Sequence, residues 1–415
     1  MPWKDCSVMD EKLKFVARLL EGEDMAGLCR DFGISRKTCY KIWDRYKDCG
    51  LVGLNDRDRR PYKQANQLPF QVEKIIIQLK KEKPNWGAPK LRELFMRKHP
   101  GIKVPAKSTV HAVLDRNGLV RKKKRRKFKS QGTALSFAQS PNDLWCADYK
   151  GQFLLGNQSY CYPLTITDYT SRYLLACDAL ETTKEEYAVS VFESAFKEFG
   201  LPKAIRTDNG VPFANAHAFF NLSRLSVWWL RLGIELERIE PGHPEQNGRH
   251  ERMHLTLKQE ATKPAGYNLL QQQEKFDAFI NEYNFERPHQ ALEMKRPKDV
   301  YKQSVRKYDG LPEVEYPLHE RTITVTHCGR ICLDGKKINF SRVFAGHNVG
   351  VRQVDDKIWQ VSFMDYDMGF FDTETCRVEP GKNPFGSKVS PMCSVQCVTY
   401  VSGTDPIFSG SGGGT

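Results

Sequence analysis

The chain has 415 residues, 64 Lys+Arg against 50 Asp+Glu for a net charge of +14, and 12 cysteines. At roughly 100–200 residues per domain this length implies two to four domains, and 40% hydrophobic with 11% aromatic content fits a globular rather than a disordered protein. Apolar runs as short as Val227–Leu230 exclude a membrane span, and the charged start MPWKDCSVMDEK argues against a secretory signal, so the cysteines read as reduced, mostly buried thiols of a cytoplasmic protein.

The charge is uneven. Residues 1–130 hold 33 Lys+Arg and 15 Asp+Glu, whereas the remaining 285 hold 31 and 35. A basic end on a near-neutral body points to a polyanion partner, most directly nucleic acid. Residues 9–48 read as three short helices. Leu13, Val16, Ala17, Leu19 and Leu20 give the first an apolar face, Met25–Phe32 form the second, Gly33-Ile34 turn, and Ser35 caps a third. That is the helix-turn-helix pattern, with Arg36, Lys37, Thr38 and Lys41 on the DNA-reading helix of a domain spanning 1–55. A second such domain, 66–120, has helices at Phe70–Lys83, Pro89–His99 and Lys107–Asn117, ended by Gly118; Lys107 and Ser108 are its candidate DNA contacts. A basic linker, 121–139, follows. Its run Arg121, Lys122, Lys123, Lys124, Arg125, Arg126 and Lys127 reads as an arm on the DNA backbone or in a minor groove, with a nuclear-localisation signal as the competing reading.

From Leu144 the pattern turns to strands: Leu144–Phe153, Tyr160–Thr167 and Arg172–Leu180. A helix with capping boxes Thr182…Glu185 and Thr183…Glu186 follows, then a strand at Lys203–Thr207, a helix at Ala216–Leu232, a strand at Ile234–Ile239, and helices at Gly248–Ala261 and Leu269–Asn284. A meander followed by alternating helix and strand makes an α/β layered domain over 140–300. Residues 316–380 read as a small β-barrel and 381–415, ending SGSGGGT, as a flexible tail.

Three acids stand where elements of the α/β domain begin or end: Asp148 in Trp-Cys-Ala-Asp-Tyr-Lys-Gly, Asp208 in Thr-Asp-Asn-Gly after a strand, and Glu251 near the start of a helix. Hard oxygen donors of this kind suit Mg²⁺ or Mn²⁺. Two such ions ~3.5–4 Å apart would activate a nucleophile and stabilise the leaving oxygen of an in-line phosphoryl transfer. Taken singly, each acid is more simply a turn or strand-end residue.

The surrounding strings raise that reading. TDNG after a strand, PEQNGRHERMHLTLK opening a helix and YNFERPHQAL beyond it together resemble the integrase-type core of bacterial insertion-sequence DDE transposases, which share an RNase H-like fold with retroviral integrases. The resemblance covers about residues 140–300 and extends more weakly to the helix-turn-helix units and the barrel. It implies Asp148, Asp208 and Glu251 as catalytic, metal-holding residues, with Mg²⁺ (or Mn²⁺), two ions per site, as cofactor. Glu245 competes with Glu251, but the family pattern Pro-x-x-x-Gly-x-x-Glu sets the register from Pro244 and Gly248 and falls on Glu251. The 42 residues between Asp208 and Glu251 exceed the retroviral spacing, and the excess reads as a longer connecting helix at Leu222–Leu230.

Helical geometry places Lys258, seven residues beyond Glu251, on the same face as a candidate DNA-backbone contact, and His254 one turn away, facing the site or packing. Asn209 orients the Asp208 turn, Trp145, Trp228 and Trp229 read as core, and Arg287, Pro288 and His289 resemble the family's closing motif. The chain has neither Cys-x-x-Cys nor a phosphate-binding Gly-rich loop, so structural zinc and ATP are not expected. The expected function is a DNA transposase that binds element terminal repeats and carries out metal-dependent strand cleavage and strand transfer. Its partners are terminal-repeat and target DNA and further copies of itself, not a membrane, in the bacterial cytoplasm at the nucleoid. A tyrosine- or serine-type recombinase and a domesticated, non-catalytic DNA-binding regulator are the rivals.

Overall fold

Ser7 opens α1 (Val8–Leu20) with a reciprocal cap: its hydroxyl accepts from the Asp10 N–H and the Asp10 carboxylate accepts from the Ser7 N–H. With α2 (Met25–Asp31) and α3 (Arg36–Cys49), it encloses a core of Phe15, Val16, Leu28, Cys29, Cys39 and Leu54. Ser35 caps α3 by accepting from the Thr38 N–H at 3.2 Å, which exposes Arg36, Lys37, Thr38 and Lys41 at its start. The Cys29 and Cys39 side chains meet within this core. In this computed structural model, the described residues are 7–56, 68–120, 135, 138–216, 218–240 and 242–385. The arm at Arg121–Lys127 and the SGSGGGT end lie outside them.

Residues 1–69 form one compact unit and 70–415 another. The second opens with a trihelical bundle of α4 (Phe70–Glu82), α5 (Ala88–Lys98) and α6 (Lys107–Arg116), packed on Ile76, Trp86, Leu91, Phe95, Val113 and Leu114. Gly118, at φ +67, lets the chain leave α6 in a conformation that costs a residue with a Cβ more.

The α/β layer follows. β1 (Leu144–Tyr149), β3 (Tyr160–Asp168) and β4 (Leu174–Leu180) form an antiparallel meander, and a two-residue β2 (Phe153–Leu154) pairs with the start of β3. β5 (Ala204–Thr207) joins β1 in parallel and β6 (Glu235–Arg238) joins β5, giving the order β4-β3-β1-β5-β6. Period-two alternation decides which side chain meets which layer. Trp145, Ala147, Leu164 and Ile166 face α7 (Glu185–Phe199) and α8 (Arg224–Arg231), where Phe192, Phe196 and Trp229 complete the core. Cys161 and Cys177 pack on the other side against Met253 and Leu257 of α9 (Gly248–Glu260) and Phe276 and Phe279 of α10 (Leu269–Asn281). Trp145 and Trp229 are core residues, as expected, and Trp228 packs on the same cluster.

Three boundaries differ from the sequence reading. β1 stops at Tyr149 rather than running to Phe153. The helix expected at Ala216–Leu232 is only α8. A 3₁₀ turn at Phe219–Asn221 precedes it, with Phe220 and Asn221 at positive φ, and Ser223 caps the helix by accepting from the Ser226 N–H. Of the connecting segment between Asp208 and Glu251, Arg224–Arg231 is the helix expected there, and it starts eight residues later than the Ala216 start. Nor do the Thr182 and Thr183 boxes form: Thr182 accepts from the Lys184 N–H, and Glu185 accepts from the Leu225 N–H at 2.6 Å, capping α8 from outside.

The C-terminal sheet has the order β7-β10-β11-β12-β13-β9-β8. Its strands are β7 (Arg321–Thr324), β8 (Arg330–Leu333), β9 (Lys336–Asn339), β10 (Asn348–Asp355), β11 (Ile358–Phe363), β12 (Tyr366–Asp372) and β13 (Arg377–Pro380). Its ends β7 and β8 approach each other, so the barrel is nearly closed. Val349, Val351, Val361, Phe363 and Met368 fill it, and Val227 and Leu230 of α8 join the same cluster.

Candidate active site

Asp148 lies on β1 opposite Thr165 of β3, with the α9 side of the sheet beyond it. Asp208 follows β5, the parallel neighbour of β1, so two carboxylates stand at the carboxyl ends of adjacent parallel strands, where open α/β sheets place their ligands. Glu251, exposed in the first turn of α9, is the third. Asp208 and Glu251 lie within electrostatic reach of Asp148. Burial pushes the Asp148 carboxyl up to about 7, and the negative charges of Asp208 and Glu251 push in the same direction. Burial also raises Asp208, partly offset by the Gly210 N–H donating to its Oδ1 at 3.1 Å. Asn209 pins this turn by donating from Nδ2 to the Ile239 carbonyl at 2.7 Å. Glu245 is engaged elsewhere, accepting from His243 Nδ1 at 2.8 Å.

Behind Asp148 is a buried network that the sequence reading does not assemble. The Thr165 hydroxyl donates its one proton to the Asp148 carbonyl at 3.0 Å. His250 Nε2 at 2.8 Å and His254 Nε2 at 2.7 Å must then both donate to Thr165 Oγ1. His250 Nδ1 in turn accepts from Thr167 at 2.7 Å. Burial holds both imidazoles neutral, His254 falling to about 3. That leaves His254 Nδ1 as a lone pair 3.8 Å from Asp148 Oδ2. One ligand atom from each of Asp148, His250 and His254 lies within 4.8 Å of the others, but both ring nitrogens of His250 are engaged by Thr165 and Thr167, so only Asp148 and His254 keep a lone pair free for a cation. The only sequence trace of the network is the His250/His254 spacing; Thr165, from a distant strand, gives none.

Replacing Thr165 by Val removes the shared acceptor and leaves two buried imidazole N–H groups unpaired. By analogy with outer-shell partners of metal ligands, divalent-ion affinity should fall about 10–100-fold, read by calorimetry, with the fold retained by circular dichroism.

Two lysines stand at the rim. Lys258 is exposed, and Lys150 is held below its usual range by burial and then by the nearby Lys258. Lys150 was not anticipated, although it sits two residues from Asp148 and so on the same side of the chain. Beneath the site, the buried Arg206 guanidinium donates to the Gln246 carbonyl at 2.9 Å and to Glu237 at 2.8 Å. The helix-turn-helix candidates Arg36, Lys37, Thr38, Lys41, Lys107 and Ser108 are all exposed, and their four cations make no ion pair among the described residues. Arg287 is bound to Glu260 at 2.6 Å, so that residue of the closing motif serves packing.

A meander continued by two parallel strands, with carboxylates at the strand ends and on the crossing helix, defines an RNase H-like nucleic-acid-processing core. Models of the integrase core domain match residues 138–244 and 232–297, and a homeodomain-like model matches 33–114. The uncharacterized 31.7 kDa protein of insertion element IS407 from Burkholderia multivorans is 25% identical over 261 residues, 60% of this chain and 88% of that one. The transposase for insertion sequence element IS904 of Lactococcus lactis is 26% identical over 258 residues, covering 59% of this chain and 98% of that one. The HTLV-2 integrase catalytic core domain in complex with magnesium is similar at 17% identity over 39% of this chain and 97% of that one, with a TM-score of 0.30. The two integrase-core matches together span residues 138–297, and the chain is similar to insertion-element proteins at 25–26% identity. Among the described residues no helix is long and apolar enough to cross a membrane.

Proposed function

We propose that this chain is a DNA transposase whose Asp148, Asp208 and Glu251 hold the divalent metal that drives strand cleavage and strand transfer. The observation that carries the assignment is the convergence of these three carboxylates at the ends of β1 and β5 and the start of α9. Mg²⁺ or Mn²⁺, two ions in the full site, would supply Lewis acidity to the attacking and leaving oxygens of an in-line phosphoryl transfer. The protein's own part is positional. Thr165 holds the Asp148 backbone, Asn209 pins the Asp208 turn, and Lys258 and Lys150 stand where a scissile strand's phosphates need cations. No covalent protein–DNA intermediate is needed, which separates this reading from a tyrosine or serine recombinase.

In this reading the first bundle reads element terminal repeats through Arg36, Lys37, Thr38 and Lys41, and the second through Lys107 and Ser108. The run Arg121–Lys127, outside the described residues, serves as a backbone arm. Domains at 1–55, 66–120, 140–300 and 316–380 divide the labour. Two element ends must be joined in one event, so the working form is a dimer or larger, acting on nucleoid DNA in the cytoplasm. Strand transfer with element-end DNA tests the assignment: product with Mg²⁺ or Mn²⁺ and none in EDTA is expected. Activity retained in EDTA, or a trapped protein–DNA adduct, would refute it.

Metal binding should also depend on pH with a known sign. Asp148 holds its proton up to about pH 7 when only the protein's own charges surround it. Below that value each ion bound must displace the proton, so apparent affinity should rise about tenfold per pH unit and level off above it. Titration calorimetry of Mn²⁺ at several pH values measures this, and a flat profile between pH 5 and 7 would contradict it.

A further inference from the structure

The two histidines of α9 differ in how their nitrogens are used. His250 has both engaged, Nε2 with Thr165 at 2.8 Å and Nδ1 with Thr167 at 2.7 Å. A buried imidazole that serves packing alone is satisfied in this way. His254 is also buried, with 10% of its side chain exposed, but only its Nε2 is engaged, by Thr165 at 2.7 Å. Nε2 is the donor of that bond, so in the neutral ring Nδ1 is a bare lone pair, and no described residue donates to it. That lone pair stands 3.8 Å from Asp148 Oδ2. The gap is too long for a hydrogen bond, so no proton is shared across it, and two electron-rich atoms opposed in this way are held together by a cation. The span suits a single ion: two donors on one small divalent metal, with bonds of about 2.1 Å, stand at most about 4.2 Å apart.

The helix supplies an independent pointer. Glu251 and His254 are three residues apart on α9 and so share one face of it. Glu-x-x-His at this spacing is how helices present mixed carboxylate and imidazole donors to iron and manganese. We propose that His254 ligates, through Nδ1, the divalent ion held by Asp148, so that the site has both oxygen and nitrogen donors. This inference rests on the carboxylates being the metal site and adds what selects the metal. Mg²⁺ takes oxygen donors and keeps its waters, whereas Mn²⁺ also sits in carboxylate sites completed by histidine. The nitrogen therefore favours Mn²⁺ over Mg²⁺. Thr165 is the positioning residue: by accepting the Nε2 proton it fixes the tautomer that leaves Nδ1 free for the ion. His250 does not ligate, because both its nitrogens are spent on the two threonines.

The test is pulsed electron paramagnetic resonance on the full chain loaded with Mn²⁺, which reads a metal-bound nitrogen whether or not DNA is turned over. The wild type should show strong ¹⁴N coupling. In wild-type chain whose histidines carry ¹⁵N at Nδ1 alone, that coupling should become one to ¹⁵N, a result that needs no substitution. His254→Gln keeps a donor near the Nε2 position for Thr165 but has no Nδ1, so the coupling should vanish. Calorimetry on that variant should show Mn²⁺ affinity lowered by more than the roughly tenfold that loss of an outer-shell partner costs, and Mg²⁺ affinity changed less. His250→Gln should keep the coupling. No nitrogen coupling in the Mn²⁺-loaded wild type would overturn the proposal. So would a coupling that stays ¹⁴N in the labelled chain, or one that survives in folded His254→Gln. The carboxylate reading fails separately. If nitrogen couples while Asp208→Asn and Glu251→Gln bind Mn²⁺ as the wild type does, the His254 ligand stands and the three-carboxylate site falls. If both variants lose Mn²⁺ affinity and no nitrogen couples in the wild type, the carboxylates stand and the His254 ligand falls.

Discussion

Asp208→Asn is expected to abolish strand transfer while leaving DNA binding intact. The substitution keeps the size of the side chain and the acceptor for the Gly210 N–H, so the turn held by Asn209 is preserved. What it removes is one negative charge beside Asp148, whose proton affinity the charges of Asp208 and Glu251 raise. A set with an amide in place of one carboxylate would hold a divalent ion more weakly and less fixedly between the reacting oxygens. A loss of roughly 10³-fold or more in rate, about 4 kcal/mol of barrier, is the expected scale. Glu251→Gln should behave alike, and Glu245→Gln should not, because Glu245 is engaged by His243. Strand-transfer rates at saturating Mn²⁺, beside anisotropy with the same DNA in EDTA, separate the two steps. Wild-type rates for Asp208→Asn would remove the carboxylates from the mechanism; parallel loss of DNA binding would reassign Asp208 to the fold.

Asp208 and Glu251 stand where the sequence puts them, after β5 and in the first turn of α9, because those patterns are short and local. An acid after a buried strand, and an acid one turn into a helix opened by Pro244 and Gly248, keep their spacing whatever packs around them. The meander and the helix-turn-helix units were legible for a similar reason, since period-two and period-3.6 burial is written locally. What failed was tertiary. Glu185 looked like half of a capping box but caps α8 across the layer, and Phe220 and Asn221 take positive φ where apolar content alone suggested helix. Thr165, Thr167, His250 and His254 become one hydrogen-bonded network only because β3 and α9 are neighbours in space. Cys29 and Cys39 meet because α2 and α3 fold back on each other.

Arg206 is where fold and chemistry are most tightly bound together, and its removal should carry the largest cost in stability. The guanidinium is sealed in the sheet, with 2% of its side chain exposed, two residues before Asp208. It ties β5 to β6 through Glu237 and to the turn before α9 through the Gln246 carbonyl, and it stacks over Tyr169, whose ring also lies against Arg249. Arg206→Met keeps the volume but leaves Glu237 and Gln246 without their donor. Breaking a buried pair on one side typically costs about 3–5 kcal/mol; Glu237 keeps 16% exposure, so the lower end is expected. The loss should appear as a lower denaturant midpoint of the core. Because the Gln246 turn leads into the helix bearing Glu251, strand transfer should also fall at temperatures where the variant is still folded. The double variant Arg206→Met/Glu237→Leu replaces the pair by apolar contact and should recover most of the stability without recovering the rate, since the tether to Gln246 is still missing. Recovery of both would mean that Arg206 serves only the sheet. Recovery of neither would mean that the stacking on Tyr169, rather than the ion pair, holds this corner together.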